Sequence, residues 1–233
     1  MTLSPEPLMI DQDTELALWC MQWLERPYVA VDTEFERTET FFPIAGLIQI
    51  CDGERAFLID PLAITDWSPL VEVLRSSNVV KVLHSCSEDI EVFFKLCGAA
   101  PAPLFDTQLA AAYLDMGFSM GYSRLVKVLL DIDLSKEETR SNWLQRPLSA
   151  AQVSYAAADA VYLAEIYQVI VPRIEAAGLS SWLFEDTADQ VAAAQRVQEP
   201  DTAYINIKQA WRLKPGELAV LKILTSWRER EAR

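Results

Sequence analysis

Five side chains in this sequence are of types that could share one piece of chemistry: Asp32, Glu34, Asp89, Tyr155 and Asp159. Asp32 and Glu34 stand two apart in Val31-Asp-Thr-Glu34, so in an extended strand they project from one face, about 7 Å apart. Two carboxylates on one face of an apolar strand are costly to bury unless something neutralises them. A strand that ended at Val31, with both acids in water, would give the same pattern. Asp89 closes His84-Ser-Cys-Ser-Glu-Asp89, where Ser85 and Glu88 have the spacing of a capping box. Ile90, Phe93, Phe94 and Cys97 mark the buried stripe of that helix, and Asp89 falls at its edge. By itself Asp89 is explained as an acid complementing a helix dipole. Tyr155 and Asp159 are i and i+4 on one helix face. Asp159 interrupts a run of alanines, where an acid has poor propensity and no cap to serve, so it faces either a ligand or solvent.

The elements that must hold these residues can be read from hydrophobic periodicity and turn chemistry. A helix is expected over 14–24, then a strand over 28–35, then strands 46–51 and 55–60 joined through Asp52-Gly53, a pair suited to a tight hairpin. A helix at 69–75, a strand at 79–83, a helix at 85–96 and a short strand ending at Phe105 follow, with Asp106 as N-cap of the next helix. Residues 122–130 and an Ala-rich stretch over 150–170 read as helices, with Pro172 just beyond the latter. This predicts an α/β fold: a mixed five-stranded sheet flanked by helices, followed by a helical C-terminal segment. Glu199-Pro-Asp201 reads as a linker, and the helix expected from Glu217 onward is still running at Arg233, as if only the start of a further domain were present.

In this order and spacing, DxE on a first strand, an Asp opening a later helix and YxxxD on a late helix resemble the three motifs of the DEDD exonuclease superfamily, in its tyrosine branch. The wider resemblance is to the ribonuclease D family. It is carried by Val31-Asp-Thr-Glu-Phe-Glu-Arg37, Gly46-Leu-Ile-Gln49, His84-Ser-Cys-Ser-Glu-Asp89, Phe105-Asp-Thr107, Ser141-Asn-Trp-Leu-Gln-Arg-Pro-Leu148 and Tyr155-Ala-Ala-Ala-Asp159. Trp211-Arg-Leu-Lys-Pro215 and Ser226-Trp-Arg-Glu-Arg230 are similar to that family's entry into its HRDC region. The resemblance implies a ribonuclease H-like domain over 1–175, a helical extension over 176–207 and the start of an HRDC-type domain over 208–233. It implies a 3′→5′ exoribonuclease, releasing 5′-mononucleotides in tRNA 3′ maturation. Asp32, Glu34, Asp89 and Asp159 would hold two Mg2+ or Mn2+ ions, and Tyr155 would orient the attacking water. The physics is compatible: clustered carboxylates repel by roughly 4 kcal/mol per pair at about 4 Å and an effective dielectric near 20, and oxygen-only ligands select hard cations.

Substrate contacts are expected from Lys136 and Arg140, from Phe35 (and Phe42) as base-stacking groups, and from His84, which lies in the wrong motif for a general base; Ser154 occupies the position a histidine takes in the sister branch. Gln49 is either a residue at the edge of the core or a partner of the metal ligands. A net charge of −14 excludes broad binding of nucleic acid by surface charge alone. Seven glycines form no nucleotide-cradling loop, and one histidine excludes most zinc sites. The four cysteines form no CxxC pair and are expected reduced in a cytoplasmic chain with no signal peptide or membrane span. The expected partners are RNA 3′ ends, tRNA precursors among them. A DNA exonuclease of the same fold and a catalytically silent binding module are the competing readings.

Overall fold

Val29, Ala30 and Val31 are almost wholly buried, and the strand that carries them lies inside a mixed sheet. The computed structural model describes residues 6–134, 141–195 and 199–232. Its strands are β1 (Leu8–Ile10), β2 (Tyr28–Glu36), β3 (Ile44–Cys51), β4 (Ala56–Ile59), β5 (Val80–Leu83) and β6 (Leu104–Asp106). Its helices are α1 (Asp13–Trp23), α2 (Ser68–Arg75), α3 (Ser87–Cys97), α4 (Thr107–Tyr113), α5 (Tyr122–Leu130), α6 (Ala150–Ala176), α7 (Ser180–Gln195) and α8 (Pro215–Ala232). The strand order is β1-β4-β3-β2-β5-β6, with β2–β3 and β3–β4 antiparallel and the remaining pairs parallel. The sheet thus has one strand more than expected. Three-residue β1 has too short an alternation to stand out in sequence, and only its pairing with β4 makes it a strand.

The period-2 alternation of β2 divides two cores. Val29 and Val31 face Ile48, Ile50, Phe57 and the apolar sides of α1, α2 and α3. Ala30 faces the other way, with Cys51 and Val82, onto Ala160, Leu163 and Ala164 of α6. The expected hairpin joins β3 to β4: Asp52 accepts from the amides of Glu54 and Arg55, and Gly53 takes φ +88° with the Tyr28 hydroxyl 2.8 Å from where a Cβ would stand. All four cysteines are free.

Three local expectations change. The capping box at Ser85 does not form: Ser85 sits at φ +57°, α3 begins at Ser87, and its N-cap residue Cys86 makes no side-chain cap. Asp106 supplies the cap from the end of β6. Its carboxylate accepts from the amides of Ser85 and Cys86 at 3.1 and 3.0 Å, and also caps its own helix through Gln108 and Leu109, as expected. The left-handed backbone at Ser85 takes that residue out of the extended conformation an N-cap needs. Second, α6 runs through Pro172 to Ala176. Pro172 and Gln168 are both exposed, so the carbonyl left without its helical donor faces water. Third, 199–201 is not a free linker. A 3-10 helix, Pro200–Asn206, packs on α8, and Asp201 accepts from Ser226 and Arg230.

Candidate metal centre

Strand alternation puts Asp32 and Glu34 on the α6 side of the sheet, near the C-terminal end of β2. Helix α6 starts at a complete capping box, Ser149 with Gln152, and two turns later presents Tyr155 and Asp159 toward them. One carboxylate oxygen each from Asp32, Glu34 and Asp159 lie within 4.8 Å of one another. The Tyr155 side chain hydrogen-bonds the Asp159 carboxylate, as the i, i+4 spacing allows. Asp159 is 7% exposed, so the alanines around it serve close packing against the sheet rather than a solvated face.

Asp89 reaches the cluster from the opposite face of the sheet. It is buried, and Thr33, which alternates to that side of β2, donates to it at 2.6 Å. The structure brings Asp32, Glu34 and Asp159 together directly and sets Asp89 behind the strand. A cavity of about 200 Å³ is lined by Asp32, Thr33, Glu34, His84, Tyr122, Tyr155, Asp159 and Leu163.

Burial raises every acid of this group, and repulsion from neighbouring acids adds to it for Glu34, Asp89 and Asp159. Burial, opposed by the Thr33 amide, brings Asp32 to about 6. Burial, then Asp32, Asp159 and Asp89, push Glu34 to about 9. Asp159 rises to about 7 through burial and Asp32, against the pull of Tyr155. Asp89 lies well above the usual carboxylate range because it is buried and faces Asp32. Such a cluster stays charged at neutral pH only with a positive partner, and an all-oxygen donor set suits a hard divalent ion. The residues present therefore fit Mg2+ or Mn2+.

His84 follows β5 and lines the same cavity. Thr107 spends its hydroxyl proton on the Leu83 carbonyl at 3.1 Å, so it accepts from His84 Nδ1 at 2.9 Å. Burial lowers the imidazole's pKa, which keeps the ring neutral. Phe35 is half-buried on β2 and does not line the cavity. Phe42 is committed elsewhere, with Lys95 Nζ 3.2 Å over its ring and Phe41 edge-on to it. Lys136 and Arg140 lie outside the described residues. Of the other basic residues in that stretch, Lys127 is paired with Asp131 and Asp133, and Arg146 clamps Asp60 and the Gly46 carbonyl.

Two residues of the site escape the sequence reading. Thr33 lies inside the DxE motif itself, and alternation toward α3 was the available signal. Tyr122 donates to the Asp159 carbonyl oxygen at 2.5 Å, fixing the backbone that carries the acid. Nothing in its neighbourhood distinguishes it from a core aromatic.

Comparison with known proteins identifies the family. The chain is 54% identical over 230 residues to ribonuclease D of Pseudomonas paraeruginosa, covering 99% of this chain and 61% of that protein. The crystal structure of Escherichia coli RNase D, described as an exoribonuclease involved in structured RNA processing, superposes with a TM-score of 0.91 at 42% identity, over 98% of this chain and 61% of that one. The chain thus spans about three fifths of the length of these relatives. Brucella melitensis NrnC, solved with bound Mg2+, shares the fold at 24% identity and a TM-score of 0.69, covering 84% of this chain and 92% of that one. Residues 7–175, from β1 to the end of α6 and so including every acid of the cluster, match the sequence model of the 3'-5' exonucleases, and the chain belongs to that family.

Proposed function

We propose that this chain carries the catalytic part of an exoribonuclease that hydrolyses RNA from its 3′ end with two divalent ions, Mg2+ or Mn2+, and releases 5′-mononucleotides. The observation that carries this reading is the convergence of Asp32, Glu34 and Asp159 within 4.8 Å, beside a tyrosine bonded to one of them. Asp32, Glu34, Asp159 and Asp89 would hold the ions. The chemistry such ions supply is Lewis-acid stabilisation of the phosphate and of the departing oxygen.

The chain's own residues do the rest. Tyr155, anchored on Asp159, orients the attacking water. Its oxygen bonds to the last phosphorus while the bond from that phosphorus to the 3′ oxygen of the preceding ribose breaks. The attacking water gives up a proton to solvent, and the departing 3′ oxygen takes one from solvent and leaves as a 3′ hydroxyl. Tyr122, Leu163 and His84 wall the cavity beside the acids, where the terminal nucleotide would sit. His84 is the substrate contact that the cavity supports, whereas Lys136, Arg140 and Phe35 rest on the resemblance alone.

The natural substrate proposed is a structured RNA such as a tRNA precursor in the cytoplasm, supported by the high identity to ribonucleases D. The domain division proposed is 1–175, 176–207 and 208–233. The family match over 7–175 supports its first boundary. Hydrolysis of a 3′-labelled RNA with Mg2+ or Mn2+ tests the proposal. Asp32→Asn and Asp159→Asn are each expected to lower the rate by about 100-fold or more, the scale of losing one electrostatic contact in a reaction centre. Undiminished rates in both variants refute the site. A matched DNA strand, cleaved as fast as RNA, refutes the substrate class, because only RNA offers a 2′ hydroxyl.

A further inference from the structure

Gln49 is the buried polar group that the site as described does not use. It lies on β3 at 0% exposure, and neither its amide nitrogen nor its amide oxygen has a hydrogen-bond partner among the described residues. Buried amides are satisfied in all but a few places, and each exception is a cost that needs a reason. Its neighbours offer none: Leu47 and Cys51 share its face along the strand, and Leu58 is its partner on β4. On packing grounds alone a Leu or Met would be cheaper there.

Register supplies the reason. Gln49 is paired with Asp32 across the antiparallel β2–β3 ladder, so the two side chains stand on one face with Cβ atoms about 4.5–5.5 Å apart. Asp32 receives the Thr33 amide and faces the cluster. A carboxylate that gives one oxygen to a cation has its other oxygen free to accept a hydrogen bond, and such a bond sets the orientation of the ligand. We propose that Gln49 is a positioning residue, whose amide NH2 donates to the Asp32 carboxylate and holds it in the orientation that binds a divalent cation. The amide is carried at a cost to the metal-free fold and repaid when the ion is bound. The inference rests on the metal-centre reading above and names the group that supports it.

The test uses the whole chain in metal-free form. Mn2+ is titrated into wild type and Gln49→Met by calorimetry, and both are melted in EDTA. The expected result is Mn2+ affinity at least about fivefold weaker in the variant, with a melting temperature in EDTA equal to or above that of wild type. Equal Mn2+ affinity in the two proteins, or a variant that melts lower in EDTA without losing affinity, overturns the role of Gln49 and leaves the metal centre standing. Absence of Mn2+ binding by wild type overturns the metal centre itself. A second measurement needs no folded variant. In 15N spectra of wild type, the Gln49 side-chain NH2 signals are expected to move on addition of diamagnetic Mg2+, and signals that stay fixed while the Asp32 amide moves overturn the proposal.

Discussion

Glu34 shows how much the site depends on its ions. Burial comes first among the causes that hold its carboxyl near 9, and the three neighbouring aspartates follow. Burial likewise brings Asp32 to about 6 and, together with Asp32, brings Asp159 to about 7. For an acid raised above its unfolded pKa of about 4, the native state binds the proton more tightly than the unfolded chain. That contribution to stability is complete below pH 4 and is lost as the pH climbs through 6, 7 and 9. In EDTA the melting temperature is therefore expected to fall between about pH 5 and pH 9. With saturating Mg2+ the carboxylates are already ionised and that slope flattens. Thermal melts across this range, with and without the ion, check it, and a metal-free melting temperature that rises with pH contradicts it. At this scale the four acids and Tyr155 were legible together because their order and spacing resemble the DEDD motifs, whereas each taken alone had an ordinary structural explanation. Gln49 stayed open between the edge of the core and a partner of the metal ligands, and Tyr122 was not legible, because an amide in an apolar strand and an aromatic at a helix start are common in cores.

Among the elements, β2 and α6 do most of the positioning, and Asp106 joins the parts around them. Its carboxylate takes amides from the start of α3, which carries Asp89, and from the start of α4, whose Thr107 holds His84. Asp106→Ala leaves those four amides, one buried and three partly so, without an acceptor and is expected to lower stability by about 3 kcal/mol, since bonds to a charged acceptor are worth about 1.5–3 kcal/mol each and do not add fully. Urea unfolding measures it, and a loss below about 1 kcal/mol would show that water replaces the carboxylate. A similar dependence on distant chain explains Gly46. A Cβ there would lie 2.7 Å from Trp143 Cβ, and its carbonyl accepts from Arg146 at 2.7 Å. The helices and longer strands followed from periodicity. The capping box expected at Ser85 did not form, because the fold holds Ser85 in a left-handed turn whose amide bonds Asp106, 21 residues away, and starts α3 two residues later.

For the whole molecule, a net charge of −14 opposes any tight grip on RNA. Two divalent ions at the proposed site would bring it to −14 + 4 = −10. Binding of a short RNA to the Asp159→Asn chain is expected to be weak in EDTA, and the wild-type chain is expected to bind a non-hydrolysable RNA strand more tightly in Mg2+ than in EDTA. Equal affinities measured by fluorescence anisotropy would contradict a grip that runs through the site. Residues 208–233 carry seven basic and three acidic residues, and α8 exposes Ile223, Leu224 and Trp227, so the acidic balance belongs to the rest of the chain. Sequence by itself determined the alternation of strands and helices, because periodicity and turn chemistry are local, whereas it grouped Asp32, Glu34, Asp89 and Asp159 only through their resemblance to the DEDD motifs, an all-oxygen set that would suit a hard cation. Only the tertiary structure decided that three of those acids share one face while Asp89 stands behind the strand on Thr33. It also decided that α3 is capped by Asp106 and that Gln49 lies across from Asp32. Those relations join residues from 17 to 127 positions apart, and only the pairing and packing of the sheet and its helices bring such residues within a few ångströms.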